Sequence, residues 1–198
     1  MIAIATEQDE KSRIRDEMSR KRDAMKEAEA ESKSAAIMKN LVKLTEYKKA
    51  KAVMFYAAKG NEVQTMELIE AALKEGKIVL LPITNIEKKE IEAAVIEDYD
   101  RDLKKGTFGI MEPDPFKKRV NRKDEKNIDV VIVPGVAFDI DGHRLGYGHG
   151  FYDKLLHRLD RTVKIGLAYD FQIVGKLPRE SHDHPMDIIV TESRVIRR

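Results

Sequence analysis

AVMFYAAKGNEVQTMELIEAALKEGKIVLLP, Ala52 to Pro82, is the stretch whose reading decides the fold. It opens on a short apolar run, Ala52–Tyr56, which reads as a buried strand. Gly60-Asn61 turns the chain. Thr65 stands where a helix cap belongs, and the segment to Glu75 reads as a helix that Gly76 ends. Ile78–Pro82 is a second apolar run. Strand, helix and strand in succession point to two parallel strands joined by a crossover helix.

The same reading extends both ways from this unit. No Pro or Gly occurs before Gly60. Residues 7–44 read as a helical arm. Ile14, Met18 and Met25 form one apolar stripe, and Ala36, Ile37, Asn40, Leu41 and Leu44 form a second. The break between two helices is expected near Lys26–Ser32. Towards the C-terminus, Ile91–Glu97 reads equally as a strand or a helical turn. Asp98–Lys126 is rich in charge, Gly and Pro and reads as loop. Asp129–Gly135 is a buried strand stopped by Pro134-Gly135. Phe151–Leu159 is helical, with Tyr152, Leu155, Leu156 and Leu159 on one face. Val163–Tyr169 and Met186–Glu192 are further strands. The expectation is one α/β domain over residues 1–198. Its central sheet is mixed or mostly parallel and flanked by helices, with the helical arm in front. Open sheets of this kind take ligands beyond the carboxyl ends of their strands.

Composition narrows the function. Lys and Arg number 37 against 35 Asp and Glu, so the charges nearly cancel. The arm looks basic, yet residues 1–30 hold seven basic and eight acidic side chains. Nucleic-acid binders carry a one-signed stripe, so nucleic acid is excluded as a main partner. There are no cysteines, hence no disulfide, thiolate nucleophile or Cys-ligated metal. No apolar run is long enough to span a bilayer. These features fit a soluble, cytoplasmic protein. The oligomeric state is not legible in the sequence.

The segment most suggestive of chemistry is RLGYGHGFYD, Arg144 to Asp153. Gly146, Gly148 and Gly150 alternate directly before a helix. Glycines let backbone N–H groups approach an anion closely, and a helix start adds partial positive charge. Arg144 offers donors at one end. Asp153, in the first helical turn, offers a cation ligand. The spacing is neither the dinucleotide-binding pattern nor a Walker loop. A phosphate cradle competes with a plain flexible loop.

The longer stretch Pro134–Asp153, PGVAFDIDGHRLGYGHGFYD, closely resembles the signature of the 5-formyltetrahydrofolate cyclo-ligases, also called methenyltetrahydrofolate synthetases. Supporting segments lie along almost the whole chain. KSRIR (Lys11–Arg15) resembles the family's Lys-x-x-x-Arg, FGIMEP (Phe108–Pro113) its Gly-Ile-x-Glu-Pro, and MDIIVTE its last strand. Phe151 departs from the usual first Tyr, and His149 from the usual Lys or Gly. Both bear on substrate preference.

The resemblance implies a fold similar to the NagB/RpiA/CoA-transferase-like group. It also implies ATP as co-substrate, Mg²⁺ as cofactor and a reduced folate as substrate. Lys11, Arg15 and the loop Arg144, Leu145, Gly146, Tyr147, Gly148, His149, Gly150, Phe151 and Tyr152 would hold ATP. Lys11 and Arg144 would be catalytic. Glu62, Tyr56 and the segment from Gly148 to Tyr152 would hold the folate. Asp153 and Asp187 would face the metal. On spacing alone, Lys11 and Arg15 are two charges on a solvated helix and Glu62 an ordinary surface acid.

The implied reaction is the ATP-dependent closure of 5-formyltetrahydrofolate to 5,10-methenyltetrahydrofolate. Two rivals stand beside it: a related ATP-using enzyme on another pterin or formylated amide, and a nucleotide- or folate-binding protein without turnover. HDHPMD (His182–Asp187) invites a transition-metal reading, but its spacing matches no standard zinc set and Pro185 breaks any helix that would align it. Asp139 and Asp141 read as turn residues. Ser181 has no evident triad partners.

Overall fold

A computed structural model describes residues 6–179 and 183–198 of the chain. The arm comprises α1 (Glu7–Asp23), α2 (Glu27–Leu41) and the short α3 (Thr45–Lys49). Thr6 caps α1 through a reciprocal pair of hydrogen bonds with Asp9. The break falls at residues 24–26, meeting the expected window at its first residue, Lys26. Asn61 explains its place: its side-chain amide donates to the carbonyls of Arg22 (3.0 Å) and Met25 (2.9 Å), tying the break to the Gly60-Asn61 turn.

The strand–helix–strand unit forms as β1 (Ala52–Met54), α4 (Met66–Lys74) and β2 (Ile78–Asn85), with β1 and β2 parallel. Gly76 ends α4 with φ +76°: its N–H meets the carbonyl of Leu73 and that of Lys77 meets Ala72, both at 3.0 Å. Thr65 takes the cap position, but its hydroxyl donates to the Tyr56 carbonyl (2.7 Å) instead of accepting from the helix. It therefore fastens the helix start to the end of β1.

The ambiguous Ile91–Glu97 segment is a strand up to Ile96, part of β3 (Glu90–Ile96), antiparallel to β2. The stretch read as loop holds small elements: α5 (Tyr99–Asp102), β4 (Leu103–Lys105) and β5 (Met111–Pro113). Then come β6 (Val130–Val133), β7 (Ala137–Asp139), β8 (Arg144–Leu145), α6 (Phe151–Arg158), β9 (Val163–Leu167), β10 (Ile173–Val174), β11 (Ile188–Val190) and β12 (Val195–Arg197).

The main sheet has the order β12-β11-β9-β6-β1-β2-β3. The five inner strands are parallel and the two edges antiparallel. This is the mixed, mostly parallel sheet expected. Alternation sorts its side chains. Val53, Val79, Leu81 and Ile132 pack with Ile37 and Leu41 of α2 and Leu68 and Ile69 of α4. Met54, Leu80, Val131 and Val133 pack with Leu155 and Leu156 of α6. Helices thus cover both faces, and the parallel strands release their loops at one shared end. Among the described residues no helix is long and apolar enough to cross a membrane.

Candidate active site

A cavity of about 610 Å³ lies at the carboxyl ends of β1, β2 and β6. That volume suits a small-molecule site. Tyr56 follows β1, Pro82 and Thr84 end β2, and Pro134 follows β6; all four line it. One face of α1 supplies the opposite wall with Lys11, Arg15 and Arg22. These positions are spaced by four and seven, so they share a side of the helix. Ile14 and Met18, on the adjoining stripe, are buried with Val136 and Leu145.

The glycine loop is built as the cradle reading requires. Gly148 (φ +95°) and Gly150 (φ +71°) hold left-handed backbone that side chains resist, and α6 starts at once. Arg15 fixes the loop by donating from Nε to the Gly146 carbonyl at 2.8 Å. Leu145 anchors its other end in the core. Lys11 is buried, with Nζ 3.7 Å from an Asp183 carboxylate oxygen.

Arg144 lines the cavity with its guanidinium already engaged. It donates to Asp153 Oδ1 (2.6 Å) and to the Pro134 carbonyl (3.3 Å), and its guanidinium lies over the Tyr152 ring. Its Nε is buried without a hydrogen-bond partner. Glu62, also in the lining, accepts the Lys59 backbone N–H (2.8 Å) through one oxygen and the Tyr147 hydroxyl through the other. Arg22 donates to that same hydroxyl and stacks over its ring. Burial, then the nearby Glu62 carboxylate, push the phenols of Tyr147, Tyr152 and Tyr56 well above the ordinary tyrosine value. Tyr56 gives its hydroxyl to the Val63 carbonyl (2.8 Å). Phe151, His149 and Tyr152 complete the wall.

The family model of the 5-formyltetrahydrofolate cyclo-ligase family matches residues 7–192. The chain belongs to that family. A methenyltetrahydrofolate synthetase structure from Aquifex aeolicus superposes with a TM-score of 0.82 at 41% identity, covering 94% of this chain and 92% of its own. One from Mycoplasma pneumoniae reaches 0.73 at 26% identity, covering 92% and 98%. A probable 5-formyltetrahydrofolate cyclo-ligase of Schizosaccharomyces pombe is 34% identical, covering 84% of this chain and 87% of the relative.

For a cyclo-ligase reading, one expected residue is misplaced. Asp187 does not line the cavity and is not brought to Asp153. It sits at the amino end of β11, exposed, with a carboxylate oxygen accepting the Lys164 N–H (2.8 Å) at the start of β9. Asp129 does the same at β1, accepting from Lys51 and Ala52. Both acids fasten strand starts, at the end of the sheet away from the cavity. The C-terminal carboxylate lining the cavity with Asp153 is Asp183.

The other expected residues, Lys11, Arg15, Glu62, Tyr56 and the loop Arg144–Tyr152, all line this cavity. Sequence reasoning passed over Arg22, Glu112 and Asp183. Arg22 was legible, since it continues the Lys11, Arg15 spacing. Glu112 is buried and takes the Thr84 N–H (3.2 Å) and the Thr107 N–H (3.1 Å), holding the loop before β5 against β2. Its place was visible only in the resemblance segment, without a role.

Ser181 and His182 lie outside the described residues. His184 pairs with His157 of α6, ring nitrogens 3.3 Å apart. The group Asp139, Asp141 and His143 is close enough to hold an ion. However, Asp139 accepts the N–H groups of Asp141, His143 and Leu177, which accounts for it as the organiser of the β7–β8 turn.

Proposed function

We propose that the protein closes 5-formyltetrahydrofolate to 5,10-methenyltetrahydrofolate, converting ATP to ADP and phosphate. The observation that carries this reading is one cavity lined by both the glycine cradle and the Glu62 carboxylate. Family membership supports it.

The chemistry accounts for both groups. An N-formyl group is an amide, and its oxygen is a poor leaving group. Transfer of the γ-phosphoryl group to that oxygen, with ADP departing, makes it a good one. N10 attacks the activated carbon, the ring closes, and phosphate carries the oxygen away. Phosphoryl transfer is chiefly positioning and charge neutralisation. The Gly146–Gly150 loop and the α6 start would take phosphate oxygens, with Lys11 and Arg15 as cations. Glu62 would accept N–H bonds from the aminopyrimidinone edge of the pterin, and Tyr56, Phe151 and Tyr152 would form its wall. Arg144 would orient Asp153 and complement the charge of the loop.

Asp153 and Asp183 offer hard oxygen donors beside the cradle, which suits Mg²⁺. When bound with ATP, Mg²⁺ would offset phosphate charge. No protein nucleophile is needed. The test is nucleotide stoichiometry. One ADP should form per folate consumed, and none without folate. ATP hydrolysis indifferent to folate would reject the reading.

A further inference from the structure

The proposed pterin acceptor already has a donor on it. Both Glu62 oxygens are engaged, one by the Lys59 backbone and the other by the Tyr147 hydroxyl. Tyr147 belongs to the glycine loop, between Gly146 and Gly148. A side chain of the glycine loop therefore reaches the Glu62 carboxylate. A phenol O–H and a pterin N–H are the same kind of donor to a carboxylate, so one displaces the other.

The surroundings suit displacement. Tyr147 is 45% exposed, unlike the buried Tyr56 beneath it. Gly148, next in the chain, holds left-handed backbone that glycine adopts readily. Arg22 would not be stranded: its Nη1 is 4.0 Å from the same Glu62 oxygen, so the carboxylate keeps a counter-charge when the phenol leaves.

We propose that Tyr147 is a positioning residue that couples the two substrates, an inference that rests on the folate reading of Glu62. Bonded to Glu62, it fills the pterin's place on that carboxylate and ties the glycine loop to it. An arriving pterin takes over the carboxylate and releases Tyr147. The loop is then free to close on the nucleotide phosphates. By linkage, a nucleotide that holds the loop withdraws Tyr147 and improves folate binding. A bridge that merely stabilises the cavity predicts neither effect.

The test measures 5-formyltetrahydrofolate binding to the full chain by calorimetry. Wild type and Tyr147→Phe are compared with and without a non-hydrolysable ATP analogue plus Mg²⁺. The Phe variant keeps the ring over Arg22 and removes only the hydroxyl. Without nucleotide it should bind folate about three- to tenfold more tightly, the scale of one hydrogen bond no longer displaced. The analogue should tighten folate binding to wild type and have a smaller effect on the variant. Unchanged or weaker folate binding by the variant, with the analogue's effect intact, overturns the proposal. Wild type that binds the analogue but no folate refutes the substrate reading itself, and the proposal with it.

Discussion

Asp183 and Asp187 stand four residues apart in one short segment, and their surroundings give them different work. The Asp187 carboxylate closes the backbone at the start of β9, and Asp183 reaches the cavity beside Lys11. Asp183→Asn should therefore raise the Mg²⁺ requirement and lower kcat/KM by about a hundredfold, the scale of a disturbed metal site. Asp187→Asn should leave the Mg²⁺ dependence alone and cost about 1 kcal/mol of stability, one hydrogen bond. A Mg²⁺ titration of both variants checks this; the reverse pattern would restore Asp187 to the metal. At the other wall, Lys11→Ala should raise the KM for ATP, and Glu62→Gln the KM for folate. A steady-state matrix of both variants against both substrates separates the two roles. The choice between the two aspartates was not legible in HDHPMD, where the resemblance gave Asp187 the metal and Asp183 no role. It depends on register, set by Met186 N–H on the Gly142 carbonyl and Asp187 on β9, contacts with residues distant in the chain.

At the scale of elements, local chemistry carried most of the reading. The strand–helix–strand unit was legible because period and turn residues agree over Ala52–Pro82. The Gly76 stop was legible because a left-handed residue is nearly always Gly. Gly76→Ala should cost about 1–2 kcal/mol, the strain of left-handed backbone, without altering either KM; thermal melts and kinetics check both halves. Leu155→Ala tests the α6 face: it is fully buried against the sheet, and the cost should be about 2–5 kcal/mol. Ile91–Glu97 stayed ambiguous because Ala93 and Ala94, adjacent in sequence, are both fully buried. Ala93 packs with the α6 side chains and Ala94 pairs through its backbone with Arg119 in the segment ahead of β6, so the burial of both hides simple alternation. The arm break sits at the front edge of its expected window because Asn61, distant in the chain, fixes it.

At the scale of the whole molecule, the sheet gathers the substrate groups at one end and leaves structural acids at the other. The buried phenols set an alkaline limit. Burial raises Tyr47, Tyr56 and Tyr152 above the ordinary value of 10.0. In the unfolded chain these groups ionise near pH 10, while in the fold they stay protonated. Their contribution to stability is thus complete below about pH 10 and is lost as pH rises above it towards their folded values. Melting temperature should fall steeply between about pH 10 and 11; a flat profile there would contradict it. The glycine cradle was legible as a motif and Glu62 only through the resemblance, but that Tyr147, 85 residues on, joins them was not, because only the folded chain brings them together.

The measurement that bears most directly on the central claim is the absorbance of the methenyl product. Purified protein is mixed with 5-formyltetrahydrofolate and Mg²⁺, with and without ATP. The account predicts product that appears only with ATP. A folded protein that binds ATP and yields no product would contradict it and leave the cradle in search of another substrate.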